Sequence, residues 1–147
     1  MSSIEKELIP VMMTIRGEQY FDNMDPDGTE LMTEGTMELT EDGMFLSYEE
    51  TELTGMAGTT TTFEVYDKKV ILTRSGGVNS QMIFEEGRQH TSLYETPFGE
   101  LPVDIQTSKL LHNLTERGGL MEIKYSIAVA HTVTGRNCFK IRVRRKH

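Results

Sequence analysis

Two charged side chains fall where the sequence otherwise alternates in favour of apolar residues. Glu50 follows Met44, Leu46 and Tyr48 on one parity, and Arg74 follows Val70 and Leu72. At a strand period of two, residues of one parity share a face. Both charges are therefore expected to enter an apolar interior, in the company of Tyr48, Tyr94 and Tyr125. A lone buried charge is costly, so the two must pair, stay wet or serve a ligand. The chemistry this set could do is recognition. Arg74 would hold an anionic group by charge-assisted hydrogen bonds, Glu50 would set the polarity beside it, and the tyrosines would offer hydroxyls and ring faces. Tyr48, Glu50, Arg74, Tyr94 and Tyr125 are the candidate site for a small, anionic ligand; a structural ion pair between Glu50 and Arg74 is the competing reading.

Other chemistry finds less support. Asn23 to Glu34 places oxygen ligands, Gly28 and a twelfth-position glutamate at the spacing of a calcium-binding EF-hand loop. Glu30 occupies a place where an apolar residue normally packs, and strands flank the segment instead of helices, so an aspartate-rich hairpin turn is expected and no metal. His90, His112, His131 and His147 include no pair at metal-ligand spacing. No nucleophile elbow, phosphate loop or dinucleotide fingerprint occurs. Cys138 lies beside Arg136 and Lys140, which would lower its pKa modestly. An enzyme would need an acid and a base in a cleft, and only Glu49, Glu50 and His131 offer themselves; the chain is read as a non-enzyme with no cofactor.

Composition narrows the partners. With 147 residues and a formal net charge of -8, the chain repels nucleic acid and anionic membranes at long range. The one basic cluster, Arg142-Val143-Arg144-Arg145-Lys146, alternates with Val143 and reads as the solvated face of a last, edge strand that guards against pairing. Contact with RNA or with an acidic protein is its other use, and a filled barrel acting through its charged outer surface is the alternative to ligand binding. One cysteine excludes an internal disulfide. No secretory leader or membrane-length apolar run is visible, so a cytoplasmic protein is expected.

The elements that must position these residues are strands. Residues 8 to 21 alternate with Ile9, Val11, Met13 and Ile15 on one side, and Asp25-Pro26-Asp27-Gly28 is a turn. Leu31, Thr33, Gly35, Met37 and Leu39 then share a parity; Glu41-Asp42-Gly43 turns into Met44 to Leu53. After Gly55 to Gly58 come Thr59 to Tyr66, Val70 to Arg74, Ser80 to Glu85 and Gln89 to Thr96. In Glu100 to Leu114, Val103 and Ile105 lie on one parity but Leu110 and Leu114 on the other. Such a phase slip needs a bulge near Thr107 to Lys109, with a short helix over 108 to 116 as the alternative. The end is a long hairpin over Gly118 to Arg145, with Met121, Ile123, Tyr125, Ile127, Val129 and Val133 on one face and its turn expected at Thr134-Gly135-Arg136-Asn137. About ten antiparallel strands with short turns predict one all-β domain over residues 1 to 147, an up-and-down barrel whose first and last strands meet.

Several longer stretches also carry a resemblance. Tyr48-Glu49-Glu50, Thr54-Gly55-Met56-Ala57-Gly58-Thr59-Thr60-Thr61, Arg74-Ser75-Gly76, Gln81-Met82-Ile83-Phe84, Tyr94 to Gly99, Gly118-Gly119 and Ile123-Lys124-Tyr125 look like the YwiB-like family of uncharacterised bacterial proteins. The resemblance covers nearly the whole chain. It implies a lipocalin-like (calycin) β-barrel and transfers no activity, cofactor or site.

Overall fold

The computed structural model describes residues 7–20, 27–52, 55–77, 79–129 and 132–146. Ten strands follow one another in the chain: β1 (Leu8–Tyr20), β2 (Asp27–Leu39), β3 (Gly43–Glu49), β4 (Thr59–Tyr66), β5 (Lys69–Gly76), β6 (Ser80–Glu85), β7 (Gln89–Thr96), β8 (Gly99–His112), β9 (Gly118–Val129) and β10 (Thr132–Arg145). They form a single antiparallel sheet in the order β6-β5-β4-β3-β2-β1-β10-β9-β8-β7. β1 pairs with β10, Ile15 opposite Ile141 and Met13 opposite Val143. The meander thus curls until its first and last strands join, in a nearly closed barrel.

The seam lies elsewhere, between β6 and β7. These strands are consecutive, joined by a tight turn in which the Arg88 N–H donates to Glu85 O at 3.0 Å, yet they occupy opposite ends of the strand order. The turn itself is stitched to β8: Gly87 N–H donates to Thr107 O at 2.9 Å and Thr107 N–H to Arg88 O at 3.3 Å. Glu86 Oε1 accepts from the Leu110 N–H at 3.1 Å, and His90 Nε2 meets Glu85 Oε1 at 3.0 Å. The wall closes around that turn and, among the described residues, has no ladder beyond it on the side of Ser80, the cross-strand partner of Arg74.

Alternation fills the interior. Val11, Met13, Met37, Leu46, Phe63, Leu72, Phe84, Ile105, Met121, Ile123 and Ile141 are essentially inaccessible. Burial of a large apolar side chain is worth about 1.5–3 kcal/mol each, and these residues hold the ten strands together. Phe63, Phe139, Tyr125 and Phe84 form a chain of ring contacts across the middle, with centroids 6.4, 5.7 and 4.8 Å apart in succession.

Several boundaries differ from the sequence reading. In the terminal hairpin Val129 and Thr132 already face one another, so the turn is not at 134–137; Gly135 lies within β10, where the register shifts between Val133 and Gly135. A glycine in a strand often marks such an irregularity. β10 is flanked by β1 and β9, so the basic run is the outer face of an internal strand and guards no edge. β3 ends at Glu49, and Leu39 at the end of β2 is exposed. The bulge in β8 is where alternation requires it, between Thr107 and Lys109, and the chain continues as strand to His112 with no helix.

Candidate functional site

β3, β4 and β5 bring the site together by register. Tyr48 on β3 is opposite Thr61 on β4, and Thr61 is opposite Arg74 on β5. All three point inward because they continue the buried parities Met44-Leu46, Phe63-Val65 and Val70-Leu72. Glu50 follows β3 on the same parity and is 5% exposed. Its Oε1 accepts from Thr61 Oγ1 at 2.7 Å, and its backbone N–H donates to Thr59 O at 2.8 Å. Tyr125 on β9 stands opposite Thr107 on β8.

The electrostatics join these residues. Burial first, then the negative charge of Glu50 and the hydrogen bond to it, push the Tyr48 hydroxyl well above its usual pKa, while Arg74 and Thr61 pull it back. Burial likewise raises Tyr125, and the positive charge of Arg74 opposes it. Arg74 thus acts on tyrosines from two different walls of the barrel. Its Nε is buried and has no hydrogen-bond partner among the described residues, and Thr107 Oγ1 is in the same position. One end of the interior is therefore polar, and it presents the buried Arg74 Nε–H with no acceptor on it among the described residues.

Of the five candidates, Tyr48, Glu50, Arg74 and Tyr125 share this end. Tyr94 does not join them: it lies half-buried on β7 opposite Leu101 and makes no hydrogen bond or ring contact among the described residues. Thr61 belongs to the set and carried no distinct signal in the sequence, being one of four successive threonines.

Other candidates resolve differently. Cys138 is buried, 1% exposed, and burial followed by the charge of Glu122 raises its thiol; Lys140 and Lys124 do not outweigh them, so the expected lowering is reversed. Part of the calcium-loop pattern, residues 23–26, lies outside the described residues, as do His131 and His147. The remainder, from Asp27 onward, is paired with β1, Gly28 opposite Glu18 and Glu34 opposite Met12, and an extended ladder cannot wrap a cation. Among the described residues no group of three acidic, histidine or cysteine side chains could hold a metal. His112 is structural: Nε2–H donates to Tyr66 O at 2.9 Å, tying β8 to the β4–β5 turn.

Two hollows lie elsewhere, and neither is lined by Arg74, Glu50 or Tyr48. One of about 270 Å³ adjoins Tyr125 and is bounded by Gly17, Thr29, Asn137, Cys138 and Phe139. A second, of about 710 Å³, lies on the outside of the wall over β2, β1, β10 and β9, with Met32, Arg142 and Leu120 among its lining. No helix among the described residues is long and apolar enough to cross a membrane.

Comparison with known proteins agrees with this architecture. The fold is similar to that in the crystal structure of ywiB protein from Bacillus subtilis, with a TM-score of 0.82 and 22% identity over 95% of this chain and 94% of that chain. No curated protein matches. The profile of a domain of unknown function, DUF1934, matches residues 13–141. That span runs from β1 into β10 and takes in every strand that builds the polar end: the chain belongs to the DUF1934 family.

Proposed function

We propose that this chain binds a small molecule and holds an anionic group of it against Arg74 at the polar end of the barrel. The observation that carries the reading is the Arg74 Nε–H, buried and without an acceptor among the described residues. A buried donor left unsatisfied costs about 1–3 kcal/mol. A carboxylate or phosphate oxygen would remove that cost through a charge-assisted hydrogen bond. Tyr48 and Tyr125 flank the charge, and the absence of a ladder between β6 and β7 among the described residues gives a way in from the side. Catalysis forms no part of the reading. Glu49 is exposed and accepts from Thr60 Oγ1 at 2.8 Å, whereas Glu50 is buried on the other face, so the two carboxylates cannot work as a pair on one substrate. The free, buried Cys138 suits a reducing compartment, and we place the protein in the cytoplasm.

The test is native mass spectrometry of the protein purified from its own cells, set beside its denatured mass. A stoichiometric excess mass is expected for the wild type and its loss in Arg74→Met. A bare wild-type mass, or an excess that survives the substitution, would sink the assignment.

A further inference from the structure

The outer face of the wall presents a separate group of exposed charged and apolar residues around a hollow. Along β10 the outward residues Lys140, Arg142 and Arg144 form a cationic stripe on a protein of formal net charge -8. Arg142 and Arg144 form no ion pair among the described residues. The cross-strand register sets their neighbours. Arg142 is opposite Thr14 on β1 and Leu120 on β9, and Thr14 is opposite Met32 on β2. A row therefore runs across four strands in the order Met32, Thr14, Arg142, Leu120. Its two apolar ends are unusually open, Met32 at 62% and Leu120 at 48%, and all four residues line the hollow of about 710 Å³.

We propose that this row is a docking surface for an extended acidic segment of a partner protein, with a carboxylate at its centre and an apolar side chain two residues to either side. The dimensions select that pattern. Neighbouring strands lie about 4.8 Å apart, so Met32 and Leu120 are separated by about 14 Å, and four residues of extended chain span about the same length. Residues i, i+2 and i+4 of an extended segment point the same way, so two apolar side chains reach Met32 and Leu120 together. The side chain between them arrives about 7 Å along the row, between the Thr14 hydroxyl and the Arg142 guanidinium. A carboxylate there receives a hydrogen bond and a charge-assisted one.

Other polyanions fit less well. A nucleic acid would meet Glu30 and Glu122 on the same face, would find no exposed aromatic ring in the row to stack on, and would leave Met32 and Leu120 without a partner. The protein's overall charge also opposes a long phosphate backbone, whereas a short acidic segment that buries its apolar side chains gains from both parts of the row.

The experiment is fluorescence polarisation with a labelled nonapeptide carrying leucine–threonine–glutamate–threonine–leucine at its centre. Comparisons are the same peptide with glutamine for glutamate and a labelled oligouridine of matched length. Binding by the wild type is expected, weakened about tenfold or more by the glutamine peptide, by Arg142→Glu, and by Leu120→Ser. Arg142 and Leu120 point outward, and circular dichroism checks that each variant is folded. Arg74→Met, which abolishes the interior site of the proposed function, leaves peptide binding unchanged. The proposal is overturned by absence of peptide binding at millimolar concentration, by affinity that ignores Arg142→Glu, or by oligouridine binding more tightly than the peptide.

Discussion

At the scale of single residues, Tyr48 and Tyr125 report whether the polar end is built as described. Burial is the leading cause of the upward shift in both. Their hydroxyls are neutral below the ordinary tyrosine value of 10.0 whether the chain is folded or not. Above that value the unfolded chain loses these protons first, so unfolding is favoured. The stability contributed by the two neutral phenols is thus fully present below about pH 10 and declines as pH rises beyond it. Urea midpoints followed through the alkaline range should fall there, and Tyr48→Phe should make the fall shallower while one phenolate disappears from the late part of the ultraviolet titration. An alkaline limb identical in wild type and Tyr48→Phe would mean that Tyr48 is not buried beside Glu50. Glu50 contributes to the Tyr48 shift and not to that of Tyr125, and a ligand that brings negative charge must find Arg74 and not this carboxylate.

Strands depend on where their ends can approach one another, and two glycines separate the possible causes. Gly118 opens β9 with φ at +106°, and a Cβ there would sit 2.2 Å from Val143 O. Any side chain would both strain the backbone and force β10 away from β9 at the far end of their hairpin ladder. Gly87, in the turn between β6 and β7, has φ at +78° with open space around it, so only the conformational preference is at stake. Gly118→Ala is expected to cost roughly 3 kcal/mol or more, and Gly87→Ala about 1 kcal/mol, by urea denaturation. Equal costs would contradict the close approach of β9 and β10. The same reasoning accounts for the β8 bulge: the extra residue Ser108 re-phases the strand, so Leu110 and Leu114 are buried while Leu111 faces out.

Across the whole molecule, cohesion is uneven because the sheet has two ends. β1, β10 and β9 are each laddered on both sides, whereas β6 and β7 have one ladder apiece and rely on the turn between them. Hydrogen exchange should therefore be slowest at Ile15, Ile141 and Ile123 and fastest in β6 and β7, with local opening at the seam well below the cost of global unfolding. Glu86→Ala removes the acceptor of the Leu110 N–H and is expected to speed exchange at Leu110 and along β6 and β7, with little change at β1 and β10. A uniform acceleration would show that the seam does not open separately, and would remove the lateral way in to Arg74.

Much of this protein is determined by its sequence alone. Period-two alternation and turn residues place nearly every strand, and the phase slip between Ile105 and Leu110 locates the bulge, because a side chain on the wrong face would have to leave the core. The inward course of Tyr48, Glu50, Arg74 and Tyr125 follows from the same parities. What only the tertiary structure decided is which residues meet. Tyr94 obeys its parity yet sits opposite Leu101 and makes no hydrogen bond or ring contact among the described residues. Thr61 joins the polar end because register sets it opposite Tyr48 and Arg74. Cys138 sits on the outward parity and is buried all the same, with its pKa raised instead of lowered. The row Met32, Thr14, Arg142 and Leu120 spans four strands, two of them from the opposite end of the chain. Alternation is a local property of the backbone, whereas register, closure and the position of the seam depend on how distant strands pack together.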